Sequence, residues 1–164
     1  MFGENLAWTR TISTVLGSTL TIDDCIVNEA DQPWPHMVLY HINFGYPLTD
    51  AGTTIDIGGR SHPPTPRDHI AAAGMKEWSN TPDPIPGVNE QVFRHDLDPD
   101  QPGRISITNV ELAAKAVTDV DSNALPWVWQ WKMPGHGTYV LGIEHSNCPS
   151  SMAVSLHVSK NYYR

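Results

Sequence analysis

PWVWQWKMPGHGTYVLGIEHSN, residues Pro126 to Asn147, reads as two strands, PWVWQWK and TYVLGIEHSN, joined by the turn MPGHG. Alternate side chains of an extended strand share a face. Tyr139, Leu141 and Ile143 therefore point one way, and Thr138, Val140, Gly142 and Glu144 the other. The first set has the composition of a core face; the second ends in a carboxylate. A glycine inside a strand marks a bulge or the close approach of another group, so Gly142 leaves room beside Glu144. Glu144 reads either as a strand-end carboxylate in water or as a group with chemistry to do.

Working outward, MVLYHINF near Met37 to Phe44 alternates in the same way, with Val38, Tyr40, Ile42 and Phe44 on one face and Leu39, His41 and Asn43 on the other. Upstream, Trp8–Leu16 and Thr19–Val27 are rich in Thr, Ile, Val and Leu, and Gly17-Ser18 between them suits a tight hairpin. QVFRHDL and ISITNV read as further strands. ELAAKAV is helix-forming by composition, yet it is short and lies between strand-like runs, so helix and strand both remain open. Prolines and glycines accumulate between Gly45 and Gly87, which reads as a long covering loop holding one helix-compatible piece, HIAAAGMKEW.

Two segments, LYHINFGYPLTDAG at Leu39 to Gly52 and WQWKMPGHGTYVLGIEHSN at Trp129 to Asn147, resemble the aldose 1-epimerase (galactose mutarotase-like) superfamily in its uncharacterised DUF4432 branch. The resemblance covers most of Trp8 to Asn147. It differs at His145, where that branch commonly has proline, and the tail from Cys148 to Arg164 does not follow the pattern. It implies an antiparallel β-sandwich of the galactose mutarotase-like type and tips ELAAKAV to strand. It also implies that the two motifs belong to a C-terminal half, so that residues 1–164 form one galactose mutarotase-like domain that is partial. Such a chain is expected to be weakly active or inactive alone, and either to associate with itself through exposed strand edges or to need the missing part in trans.

Composition bounds the rest. With 164 residues the chain suits one domain with a real core. A net charge of -8 and a pI near 5.3 repel phosphate backbones and anionic membranes, so neither nucleic acid nor membrane is an expected partner. Cys25 and Cys148 stand alone, without the spacing of a disulfide framework or zinc site, which fits a reducing cytoplasm. No apolar run is long enough to span a bilayer.

An imidazole and a carboxylate are the side chains most easily tuned to exchange protons near neutral pH. The resemblance assigns those roles to His41 as general acid and Glu144 as general base for interconverting sugar anomers through ring opening, with a small-molecule sugar as partner and no cofactor. Their reactive atoms are expected roughly 5–9 Å apart, flanking a sugar atom. The candidate binding residues are Asn43, Tyr46, His95, Asp96, Trp131 and Lys132. Trp127, Trp129 and Trp131 share one strand face, as core or as a platform for sugar rings. Lys132 lies on the opposite face and reads as a partner for Glu144, a sugar ligand or a solvated lysine. His62, Asp68, His69, His95 and Asp96 invite a metal hypothesis, but their spacing is poor and no metal is expected. A non-catalytic carbohydrate-binding face is the alternative reading, and a metal enzyme built on His41, His95 and Glu144 a third.

Overall fold

The computed structural model describes residues 5–15 and 17–149; most of the divergent tail, and the end of the first strand at Leu16, lie outside the described residues. Two compact units are present, one containing residues 5–37 and the other running from Val38 through the last described residue.

In the first unit β1 (Leu6–Val15) and β2 (Thr19–Asn28) form an antiparallel hairpin. Its two faces differ in chemistry, as the register requires. Trp8 lies opposite Ile26, Ile12 opposite Ile22, and Thr14 opposite Leu20, while Thr9, Thr11 and Ser13 fall on the other side. Arg10 binds Asp24 with both ends of its guanidinium at 2.8 Å, in the middle of the apolar face.

The second unit is an antiparallel sandwich of two sheets. One has five strands in the order β3 (Leu39–Gly45), β10 (Thr138–Ser146), β9 (Trp127–Gly135), β6 (Gln91–Asp96) and β5 (Thr65–Pro66). The other has β4 (Thr54–Ile57), β7 (Gly103–Asn109) and β8 (Ala114–Val120). The core is made by β-branched and leucine side chains from the facing surfaces: Ile55, Ile57, Ile105 and Ile107 from the small sheet, and Val128, Leu141 and Ile143 from the large one, with Leu97. The alternation in TYVLGIEHS thus divides as its composition requires, Leu141 and Ile143 inward, Gly142 and Glu144 outward.

ELAAKAV divides between a turn and a strand: Val110 to Ala113 turn, with Ala113 at φ 51°, and β8 begins at Ala114. The MPGHG segment carries ladder pairing further than its composition suggests, Tyr139 pairing with Pro134, which leaves His136-Gly137 as the connection. The expected covering loop over 45–87 is corrected in part. TTIDI within it is a short alternating strand whose Ile55 and Ile57 enter the core, and Thr65-Pro66 pairs with β6. Flanking Gly and Pro hide a strand of four residues from a pattern search. Helix α1 (His69–Ala73) does form in HIAAAGMKEW, capped by Asp68, which accepts from the amides of Ile70 and Ala71, and a single 3-10 turn follows at Met75–Glu77. Among the described residues no helix is long and apolar enough to cross a membrane.

Candidate functional site

His41 on β3 and Glu144 on β10 are direct cross-strand partners on the outer face of the large sheet. Nε2 of His41 stands 3.5 Å from Oε1 of Glu144 and 3.0 Å from Oδ1 of Asn43, two residues along the same strand. An amide oxygen only accepts, so Nε2 carries a hydrogen and donates it toward Asn43. The pair is closer than the separation expected from the sequence. Facing residues of an antiparallel ladder start only about 5 Å apart at Cβ, so the two groups stand side by side instead of flanking an atom from opposite sides.

Gly142 accounts for the packing around them. A Cβ built there would meet His41 Nε2 at 3.0 Å and the Cβ and Cε3 of Trp131 at 3.2 Å. The space a side chain would need is filled by the imidazole and the indole, which meet edge to face with centroids 5.8 Å apart. Burial pushes the Glu144 carboxyl above its usual range, against the opposing pull of His41 and then Arg67, while Glu90 adds to the rise. The His41 side chain is 41% exposed and that of Glu144 14%, so the imidazole is open to an incoming molecule while the carboxylate sits deeper.

Strand parity decides where the remaining candidates go. Glu144 faces Trp129, and Trp129 faces Arg94, which places Trp127, Trp129, Trp131, Arg94 and Asp96 on the same sheet face as the pair. Trp131 borders His41. Asp96 shares the face, but its oxygens are held by Arg94 at 2.8 Å and His62 at 2.9 Å. Tyr46 lies in the turn after β3 and is largely exposed, and the partner of His41 is Asn43.

His95 and Lys132 are corrections: both point to the opposite, inner face. His95 is fully buried, its Nε2 3.0 Å from Gln130 Oε1 and its ring 5.1 Å from that of Trp78; burial takes it down to about 4, so it is neutral. Lys132 donates to the carbonyls of Glu77 and Asn80, and burial lowers it to about 8. It therefore cannot pair with Glu144, because the two occupy opposite sides of one sheet. The residues of the metal hypothesis are likewise dispersed: Asp68 caps α1, His95 is inside the sandwich, and His62 pairs with Asp96. Among the described residues no group of three or more His, Cys, Asp and Glu is arranged to hold a metal ion.

Two residues at the site escaped the sequence reading. Glu90 accepts a bond from Trp131 Nε1 at 2.7 Å and another from Arg67 at 2.8 Å. The signal for Glu90 was parity, since it continues the alternation Val92, Arg94, Asp96 one step before β6. For Arg67, following a two-residue strand, no local signal existed.

A model of the DUF4432 family, a domain of unknown function, matches residues 1–157. The chain belongs to the DUF4432 family. The match runs through the hairpin and into the tail that the resemblance had left out. Among solved structures, this DUF4432 chain is similar to the crystal structure of a "putative aldose 1-epimerase" from Klebsiella pneumoniae, with a TM-score of 0.80 and 26% identity over 87% of the present chain. It spans 38% of that protein's length. No curated protein matches it.

Proposed function

We propose that this DUF4432 chain carries a carbohydrate site of the aldose 1-epimerase kind, in which Glu144 acts as base and His41 as acid. The observation that carries the reading is the His41–Glu144 pair, 3.5 Å apart on the sheet face turned away from the core. The likeness to the Klebsiella pneumoniae structure supports it. Side-by-side placement suits this chemistry, because the anomeric hydroxyl and the ring oxygen of a cyclic aldose are bonded to one carbon. The ionised Glu144 carboxylate takes the anomeric hydroxyl proton while protonated His41 gives one from Nε2 to the ring oxygen. The bond from the anomeric carbon to the ring oxygen breaks, leaving an open-chain aldehyde. Rotation of that aldehyde and reversal of both proton transfers close the ring on the other face. A carboxyl raised by burial is a better base near neutral pH than an ordinary one, and the bond to Asn43 keeps a proton on the nitrogen that must donate.

The test is polarimetry of common aldoses with Glu144→Gln and His41→Gln, paired with sugar titrations followed by NMR. Loss of a general acid or base costs about 10²–10⁴-fold in turnover, and sugar binding is expected to survive in Glu144→Gln. A second reading, a non-catalytic carbohydrate-binding face, is favoured by the half-buried indole of Trp131 on the same surface. It predicts that Glu144→Gln weakens sugar binding as much as turnover, and that result would replace the first reading.

A further inference from the structure

Trp131 touches His41 edge-on and has its indole N–H bound to one oxygen of Glu90 at 2.7 Å. The other Glu90 oxygen receives Arg67 Nη2 at 2.8 Å, and Arg67 Nε reaches Asp68, the cap of α1, at 3.2 Å. Glu90 is therefore the joint of a chain that runs from the imidazole through the indole to a guanidinium anchored on a helix cap. A carboxylate bonded twice to fixed donors restricts both of them. Without it the indole would keep only packing to hold its tilt, and the wall against which His41 rests would loosen. The charges bearing on Glu144 are those of His41 from β3, Arg67 after β5 and Glu90 ahead of β6, so Glu90 also sets how much of the Arg67 charge Glu144 experiences.

We propose that Glu90 is a positioning residue of this site, clamping Trp131 against His41 and partly neutralising Arg67 beside Glu144. This rests on the reading of His41 and Glu144 as the working pair. The experiment is an NMR titration of the Glu144 side-chain carboxyl and of the His41 ring in the whole chain, with Glu90→Gln, Glu90→Ala, Glu90→Asp and, as control, Asp119→Asn, which removes an exposed carboxylate bound to Arg104. Glu90→Gln keeps the shape but removes a negative charge that raises Glu144. It should lower the Glu144 midpoint by about a few tenths of a pH unit. Glu90→Ala should in addition move the His41 ring-proton shifts, because the neighbouring indole is no longer held; Glu90→Asp should return part of that change, and Asp119→Asn should do nothing to either signal. An unchanged Glu144 midpoint with unchanged His41 shifts in Glu90→Gln and Glu90→Ala would overturn the proposal. If no aldose is turned over by the unaltered chain, these titrations still decide the role of Glu90.

Discussion

At the scale of single residues, Gly142 shows how the site depends on a missing side chain. Gly142→Ala sets a methyl 3.0 Å from His41 Nε2 and 3.2 Å from Trp131 carbons. The imidazole is partly exposed and can swing away, whereas Trp131 is fastened through Glu90. We expect roughly 1–3 kcal/mol of lost stability from overpacking, seen as a lower denaturant midpoint, together with displaced His41 ring-proton shifts in NMR spectra. Lys132 provides the contrast. Its amine satisfies the carbonyls of Glu77 and Asn80 inside the sandwich, so Lys132→Met leaves two acceptors unpaired. That should destabilise by about 1–3 kcal/mol without weakening the proposed sugar binding, because the amine never reaches the outer face. Weakened binding at unchanged stability would restore the role the sequence suggested for it.

At the scale of elements, the turn between β7 and β8 holds a local conflict. Ala113 adopts φ 51°, in the left-handed region, while its amide bonds to Val110 and Asn109 braces the turn through the amide of Leu112 and the carbonyls of Pro47 and Leu48. Placing an L side chain there costs about 1–2 kcal/mol, and glycine recovers most of it while adding freedom to the unfolded chain. Ala113→Gly should therefore stabilise by about 0.5–1 kcal/mol, read as a higher midpoint in urea with an unchanged slope. The strands themselves were legible in the sequence where apolar and polar residues alternate cleanly, as in β3 and β10, whereas β8 stayed open because its first residues are helix formers. TTIDI and Thr65-Pro66 were not. A short strand earns its place from pairing with β7 or β6 and from the burial of Ile55 and Ile57, and both terms exist only once the partner is present.

At the scale of the whole molecule, two histidines bury their rings in the sandwich interior. His145 on β10 reaches Thr118 on β8 at 2.9 Å, bridging the sheets, and His95 bonds to Gln130 at 3.0 Å. Burial takes both down to about 4. In the unfolded chain they titrate near 6.5, so between pH 6.5 and 4 the unfolded state binds more protons than the native one. Stability should rise with pH across that window and be lost as pH falls through it, by an amount on the order of a few kcal/mol for the two together. Glu144, raised by burial, works in the opposite sense just above its ordinary range and so blunts the slope. Urea midpoints measured from pH 7 down to 4.5 should fall steadily; a flat profile would mean that neither ring is held neutral. His145 also stands where the resemblance led one to expect proline, and its bond to Thr118 gives that position a cross-sheet role.

The amino-acid sequence determined the alternation of apolar and polar residues, and with it the β class, the hairpin around Gly17-Ser18, and the outward direction of His41, Asn43 and Glu144 on their strands. The hairpin follows from a two-residue turn led by glycine, and the rest from the period of two in an extended backbone. Only the tertiary structure decided which strands are neighbours. Register between β3 and β10 brought His41 to Glu144 across about a hundred residues of chain, and register between β9 and β6 sent Lys132 and His95 inward while leaving Trp131 outside. Long-range hydrogen bonding likewise joined Arg67 and Glu90 to the site. Parity along one strand is a local property, readable from residues in order. The juxtaposition of two strands is set by the joint burial of Ile55, Ile107, Leu141, Ile143 and their neighbours, a condition on the whole chain that no single stretch contains.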